Sequence, residues 1–305
     1  MGIDCRAYDQ KRDYGAVGEF LVRTYGAIVH GSHRNWLQPR WEYMHYHPAI
    51  LDRHQELARC AVWCEGETIV AAIHFEDRMG VVYVELDPAY PHLRREILER
   101  AIERLAGDFK DGRAVHVYLD DEDGAFQEAA TAMGFVRLPG KHAEIMMALR
   151  AEALPAETRS PEGFEIIGLD QDDDLRKVHR VMHRGFDHSG EAPEDELDAR
   201  RRKLSAPNLR KDLTAVARAP SGEFVSFCGM WMDTVNRVAY VEPVATDPEY
   251  RRRGLGTAVV LEGVRRCARE GAALAYVGSD QPFYLSMGFE PCYRHSLWRK
   301  SLGSA

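Results

Sequence analysis

The residues whose types and spacing most clearly imply chemistry form one run, Arg251-Arg252-Arg253-Gly254-Leu255-Gly256-Thr257. It stands where a strand-like pattern gives way to a helical one, so unpaired backbone N–H groups and the positive end of a helix dipole converge there on an anion. A Cβ at Gly254 or Gly256 would hold a phosphate away, and glycine also tolerates the angles of a concave nest of amides. Thr257 adds a hydroxyl. The three arginines add charge for a pyrophosphate or a further phosphate, and the same side chains also suit a solvated surface. An isolated pair of glycines would say little; the strand before and the helix after make the run specific.

Those flanking elements are legible. Val238 to Thr246 reads as a strand. From Gly256 to Glu270 the apolar positions Val260, Leu261, Val264, Cys267 and Ala268 recur at helical spacing, and Gly271 stands where a C-terminal cap belongs. Upstream come a strand at Phe164 to Ile167, a helix with Leu175, Val178 and Met182 on one face, and two strands, Leu213 to Arg218 and Glu223 to Met232, around Ala-Pro-Ser-Gly. Downstream, Ala272 to Val277 is strand-like, Phe283 to Met287 forms a short helix before Gly288, and Cys292 to Trp298 closes the layout as a strand. This is an α/β arrangement on one mixed sheet.

The first half follows the same plan, with a helix near Tyr14 to Tyr25, strands near Ala58 to Cys64, Thr68 to Phe75 and Val81 to Leu86, and a helix at Leu93 to Leu105. Asp87-Pro88-Ala89-Tyr90 corresponds to Asp247-Pro248-Glu249-Tyr250, and Met133-Gly134-Phe135 to Met287-Gly288-Phe289. An ancient duplication explains two such anchors at nearly equal separations. Arg150 to Gly163 mixes small, charged, Pro and Gly residues without apolar period and reads as the connection. The expected domains are therefore residues 1–150, a linker at 151–163, and residues 164–305.

The stretch EPVATDPEYRRRGLGTAVV, followed by VGSDQPFYLSMGFEP, resembles the GNAT superfamily of N-acetyltransferases in its strand-loop-helix core and its closing Tyr-x-x-x-Gly-Phe. The resemblance implies an α/β fold of two tandem GNAT-like domains, each a mixed, mostly antiparallel β-sheet flanked by helices. It also implies acetyl-CoA as co-substrate and a primary amine, more readily a small molecule than a protein, as acceptor. The pantetheine arm would pair with the backbone of Val244, Ala245 and Thr246, and the phosphates would lie on Arg251, Arg252, Arg253, Gly254, Leu255, Gly256 and Thr257. Tyr284 stands where the family places its general acid, which protonates the departing thiolate. Glu242, two residues before Val244 and so expected on the same face of the strand, is the candidate base for the amine; a role in merely attracting a cationic substrate suits it equally. Covalent catalysis through Cys228, Cys267 or Cys292 is the competing mechanism, and none of these lies beside an evident base. A non-catalytic acyl-CoA sensor is the alternative function.

In the first half the same register puts Arg94 and Glu96 at the two glycine positions and Ala130 at that of Tyr284, so this half reads as a degenerate, non-catalytic copy. Its segment His30 to Pro48, HGSHRNWLQPRWEYMHYHP, is rich in Trp, Tyr, His and Arg and reads as a long loop suited to a substrate wall or to packing.

The composition sets outer bounds. The 305 residues are 45% hydrophobic and 29% charged, the makeup of a globular chain, and the formal charge of -8 without a long basic block argues against a nucleic-acid partner. No long apolar run and no apolar leader follows the Met-Gly-Ile-Asp-Cys-Arg start, so no membrane role and a cytoplasmic location are expected. Six cysteines without a CxxC pair read as reduced thiols, and His45, His47 and His54 upstream of Cys60 and Cys64 lack the tight ligand pairs of a zinc site, so no metal is expected.

Overall fold

The computed structural model describes residues 2–27, 30–76, 78–155 and 160–303. Its strands are β1 (Ile3–Ala7), β2 (Ala61–Glu65), β3 (Thr68–His74), β4 (Val81–Leu86), β5 (Gly107–Phe109), β6 (Gly112–Asp120), β7 (Val136–Arg137), β8 (Glu144–Arg150), β9 (Glu165–Gly168), β10 (Ala215–Arg218), β11 (Phe224–Asp233), β12 (Val238–Thr246), β13 (Leu274–Val277) and β14 (Glu290–Ser301). Its helices are α1 (Gln10–Tyr25), α2 (Gln38–His45), α3 (Pro48–Leu51), α4 (His54–Leu57), α5 (Arg94–Leu105), α6 (Gly124–Ala132), α7 (Leu175–Gly185), α8 (Leu197–Lys203), α9 (Leu255–Arg269) and α10 (Pro282–Leu285).

The chain folds as two units, Met1–Ile145 with Cys292–Ala305, and Met146–Pro291. This departs from a contiguous division near residue 150. β14 runs antiparallel to β6, from His295 opposite Asp120 to Ser301 opposite Ala114, and Trp298 is buried in the first unit's core. In return β8 lies antiparallel to β13, with Met147 opposite Val277 and Arg150 opposite Leu274. Each half ends in a strand of similar apolar character, and a related sheet edge accepts either one. The compositional break after Arg150 marks where the apolar pattern lapses and carries no information about which sheet a strand joins. Residues 156–159 of the expected linker lie outside the described residues.

In the first unit the strand order is β1-β2-β3-β4-β6-β14, antiparallel except for β4 beside β6. α1 starts at Asp9, whose carboxylate accepts from the N–H groups of Lys11 and Arg12, and it buries Val17, Phe20 and Leu21 against the sheet. α5 buries Ile97, Leu98, Ala101 and Leu105. The aromatic segment His30 to Pro48 is not an open loop: it contains α2, and Trp36, Trp41 and His45 are buried within this unit. Packing, rather than a substrate wall, accounts for its composition.

In the second unit the order is β8-β13-β12-β11-β10-β9. α7 is capped by Asp174, which accepts from Arg176 and Lys177 N–H, and its Val178, Val181 and Met182 cluster with Phe227 and Ala245 on one face of the sheet. α9 covers the opposite face, where its Gly263 lies against Met230 and Cys228. β12 and β13 are parallel and bonded only from Val238 to Tyr240 and from Leu274 to Tyr276. Beyond that point β12 continues to Thr246 with no strand paired on that side among the described residues.

Candidate functional site

The open side of β12 is defined by hydrogen-bond parity. Asp247 donates its N–H to Val225 O at 3.0 Å, so Ala245, two residues back and opposite Phe227, also turns its backbone groups toward β11. Alternation then turns the groups of Val244 and Thr246 toward the side that β13 has left. Of these, only Thr246 O has a partner among the described residues, Arg251 Nε at 3.1 Å. The edge of Val244 and Thr246 can take up an extended amide chain as an added strand. Ala245 cannot share that pairing: its carbonyl already accepts from Ser226 Oγ at 3.1 Å and its side chain packs under α7.

Just upstream the register shifts. Cys228 stands opposite Val244 but Met230 opposite Val241, so Glu242 and Pro243 together face the single residue Gly229, a bulge in β12. Pro243 has no N–H for the ladder, which suits it to this point. The Glu242-Pro243 peptide is cis. A bulge breaks strict alternation, so counting two residues from Val244 does not place the Glu242 side chain.

Downstream of the edge the chain turns through Pro248–Tyr250 and enters α9. The backbone N–H groups from Arg252 to Thr257 make no hydrogen bond among the described residues, and the first α9 bond is that of Ala258 N–H to Gly254 O at 3.0 Å. Gly254 occupies the left-handed region at φ 78°, two residues after Arg252 at φ 61°, backbone angles of the kind from which a concave nest of amides is built. Gly256 has a different reason: a Cβ there would stand 3.2 Å from the Phe283 ring and from Thr246 Oγ1, so glycine lets α9 close on α10 and β12. The arginines also divide. Arg251 is held by protein groups, Arg253 lies 5.2 Å from the Tyr250 ring centroid, and Arg252 is exposed with no partner among the described residues.

Asp247 anchors the loop from inside. It is fully buried, bonds Arg184 at 2.6 and 3.0 Å, lies 3.3 Å from Arg180, and accepts the Glu249 N–H at 3.1 Å. Burial pushes its carboxyl up, but the Arg184 hydrogen bonds, the Glu249 N–H and the two arginine charges hold it below the usual carboxylate range. Sequence reasoning missed this residue and Arg184. The repeated Asp-Pro-x-Tyr carried the signal, because Asp87 in the first unit likewise accepts the Ala89 N–H at 2.9 Å and pairs with Arg23 of α1 at 3.6 Å.

Tyr284 sits on α10, 8% exposed, with its ring between those of Phe283 and Phe289 at 5.0 and 5.7 Å. Burial raises its phenol, and the nearby Cys228 and Glu242 raise it further. Glu242 also acts on Cys228, so Tyr284, Cys228 and Glu242 share one electrostatic neighbourhood beside the open edge. Cys228 is fully buried with its thiol raised well above the ordinary value by burial, and burial pushes Cys267 up to about 12. Thiols so disposed are inert as nucleophiles at neutral pH.

The matching place in the first unit is closed. Asp87 N–H bonds Val70 O at 2.9 Å, so by the same parity Val84 and Leu86 face the side β6 has left after Val82. There His33 Nε2 bonds Val84 O at 2.8 Å, while Asn35 accepts the Leu86 N–H at 2.8 Å and donates to Leu86 O at 3.2 Å. His33 and Asn35 are 3% and 4% exposed, so the edge is sealed by this unit's own side chains. At the glycine positions Arg94 pairs with the buried Asp123 at 2.9 Å and Glu96 accepts from Trp63 Nε1 at 2.9 Å.

A cavity of about 520 Å³ lies on α7, lined by groups from Asp174 to Leu197 and by Glu223. Its charges pair with each other and with neighbours, as Arg176 with Glu194, Lys177 with Asp172 at 2.8 Å and Arg180 with Glu223 at 3.8 Å, and neither Tyr284 nor Glu242 lines it. Among the described residues no cluster of three His, Cys, Asp or Glu side chains is placed to hold a metal; the His54 side chain lies outside that set. No helix of the described residues is long and apolar enough to cross a membrane.

Residues 175–289, which lie within the second unit, match the Acetyltransferase (GNAT) family. No curated protein matches the chain. Among solved structures, a tandem GNAT protein from the clavulanic acid biosynthesis pathway superposes with a TM-score of 0.61 at 15% identity, covering 100% of both chains. A GCN5-related N-acetyltransferase from Sphaerobacter thermophilus gives 0.58 at 16%, covering 99% of this chain and 98% of its own. The N-myristoyltransferase of Saccharomyces cerevisiae gives 0.55 at 11%, covering 97% and 78%. Such identities speak for the fold alone, a tandem arrangement shared over the length of the chain, and the family match places residues 175–289 of the second unit among sequences similar to the GNAT acetyltransferases.

Proposed function

We propose that the second unit transfers an acetyl group from acetyl-CoA to a primary amine, a small molecule rather than a protein, by direct attack within a ternary complex. The observation that carries this reading is the continuity of two surfaces: the edge of Val244 and Thr246, which no strand covers and on which Thr246 O alone has a partner among the described residues, runs directly into six unbonded amides from Arg252 to Thr257. An extended amide chain ending in a pyrophosphate matches both. Arg252 and Arg253 add charge on the rim of the nest, and Thr257 adds its hydroxyl.

As the C–N bond forms and the C–S bond breaks, Tyr284 donates a hydrogen bond to the departing thiolate, which takes up the proton that the amine released, through Glu242 or solvent. The raised phenol of Tyr284 keeps its own proton in place throughout the neutral range. Glu242, within the same electrostatic neighbourhood, takes the proton from the attacking amine, directly or through water. The bulge at Glu242-Pro243 supports this role by interrupting the ladder where the thioester would lie. The first unit is read as non-catalytic, because His33, Asn35, Arg94 and Glu96 occupy the groups a cofactor would need.

The test is calorimetric titration with acetyl-CoA, followed by thiol release with a panel of primary amines. One site per chain and amine-dependent thiol release are expected. A stoichiometry of two would overturn the single-site reading, and binding without thiol release from any amine would overturn catalysis in favour of a sensor.

A further inference from the structure

Two residues of β11 meet the bulged peptide of Glu242 and Pro243. In β11 the side chains of Cys228 and Met230 lie against Gly263 of α9, so alternation turns Gly229 and Trp231 to the opposite face of the sheet. On that face the bulged peptide fills the space that a side chain at Gly229 would take. A Cβ there would stand 2.5 Å from Glu242 O, 3.0 Å from Glu242 C and 2.8 Å from Pro243 Cδ. No rotamer change relieves contacts of that kind with backbone, so any other residue at 229 forces the peptide to move.

A bulge interrupts the ladder, and the Glu242 carbonyl takes its hydrogen bond from a side chain. The Trp231 indole Nε1 donates to Glu242 O at 2.9 Å, and Trp231 is 2% exposed, so the bond is made away from water, where an unpaired carbonyl is costly. A missing side chain on one residue and an indole on the other thus hold the same peptide.

The first unit supplies the comparison. The pair Ala71–Leu86, just before Asp87, corresponds to Ser226–Thr246, just before Asp247. Counting back from each pair brings His74 to the place of Gly229 and Tyr83 to that of Pro243. There the register runs from Ala71–Leu86 to His74–Tyr83 without a shift, and the His74 side chain bonds Glu85 at 2.9 Å. The unit whose edge is sealed has a side chain where the second unit has none, and a regular ladder where the second has a bulge.

We propose that Gly229 and Trp231 are positioning residues: together they hold the Glu242-Pro243 peptide out of the β11 ladder, and through it they set the Glu242 carboxylate toward the attacking amine. The proposal rests on the reading of Glu242 as the base. Both residues act on a peptide upstream of Val244, so their effect falls on the chemical step and spares the edge and the amides that meet the cofactor.

Steady-state thiol release and acetyl-CoA calorimetry on the full chain test it through a double-mutant cycle with Glu242. Trp231→Phe, which keeps a ring and removes the N–H, is expected to lower kcat by about 10- to 100-fold, the scale for a displaced catalytic group, with the acetyl-CoA Kd within about threefold. Gly229→Ala should act in the same way by pressing on the same peptide. In a Glu242→Gln background neither substitution should lower kcat by more than about a further twofold, because a displaced base and an absent one are equivalent. Wild-type kcat in both variants, or losses of equal size in both backgrounds, would overturn the proposal and leave the pair as structural support. So would a tenfold or greater loss of acetyl-CoA affinity in both variants. A Glu242→Gln variant with wild-type kcat would remove the base and the proposal with it, a result distinct from additive losses around a base that matters.

Discussion

Replacing Tyr284 by Phe isolates the proton donor, because the rest of its surroundings are indifferent to the change. The ring stays between Phe283 and Phe289, and the phenol oxygen has no hydrogen-bond partner among the described residues, so folding stability should shift by less than about 0.5 kcal/mol. The catalytic cost follows from what the hydroxyl meets. An alkyl thiol has a reference pKa of about 8.5 and a free phenol about 10. Burial, Cys228 and Glu242 raise Tyr284 above its free value, so complete proton transfer to a thiolate is uphill by more than about 2 kcal/mol.

Tyr284 therefore acts mainly as a hydrogen-bond donor to an anion, which is worth about 1.5–3 kcal/mol, or roughly 10- to 150-fold in rate. That lies at the low end of general-acid effects, which reach about 10⁴-fold. Because the thioester sulfur gains charge only as the bond breaks, kcat should fall while the acetyl-CoA KM stays within about twofold. Steady-state thiol release in wild type and Tyr284→Phe, from about pH 6 to 9.5, reads this directly. The donor stays protonated over that range, so the shape of the pH profile should be the same in both proteins. A kcat within twofold of wild type would remove Tyr284 from the chemistry, and a loss confined to KM would make it a binding residue.

Gly256→Asp places a Cβ 3.2 Å from Phe283 and Thr246 Oγ1 and a carboxylate at the N-terminus of α9, so acetyl-CoA affinity should fall by more than about tenfold in calorimetry, with circular dichroism confirming a folded chain. Asn35→Ala strips the partner from the buried N–H and C=O of Leu86 and should destabilise the first unit by about 2–4 kcal/mol in urea unfolding, without opening a second acetyl-CoA site. Asp247→Asn should cost about 2–3 kcal/mol at neutral pH, the low end for a broken buried pair because Arg184 and Arg180 keep some access to water. Asp247 is held below its free value, so its contribution is fully present above the unfolded carboxylate pKa of about 3.9 and is lost as pH falls through the lower folded value. The gap between wild type and variant should therefore close on acidification below about pH 4, and a gap that widens would contradict the assigned direction.

What the sequence disclosed and what it withheld follow from how local each feature is. The loop, the β12 strand and α9 were legible because glycine spacing, strand pattern and helical apolar period are all written within about thirty residues of one another. The ranges Val81–Leu86 and Val238–Thr246 were read without error for the same reason. The exchange of β8 and β14 was invisible, because the information that assigns a strand to a sheet lies in the partner, here Asp120 to Ala114 for β14, and not in the strand. β1 and β6 went unread as well: the short β1 has too few residues to establish a period, and β6 is buried on both sides over Ala114–Val117 and so lacks the polar alternation that marks a surface strand.

The same distinction explains the candidate site. Sequence placed Val244, Ala245 and Thr246 together, but only the register with Phe227 decides that Val244 and Thr246 face outward and Ala245 inward. It counted Glu242 as two residues from Val244 along a regular strand, and Glu242 with Pro243 forms a bulge opposite Gly229. It also inferred a degenerate first half from two lost glycines and a lost tyrosine. The stronger physical reason lay some fifty residues earlier in the chain, in His33 and Asn35, whose types suggest nothing until Val84 and Leu86 are seen to be the edge they close. An open strand edge must be paired, covered or functional. The two units resolve that requirement differently, the first with its own side chains and the second by leaving the edge of Val244 and Thr246 without a strand partner among the described residues, so the proposed cofactor site rests on that uncovered edge of β12 as much as on the glycines at its end.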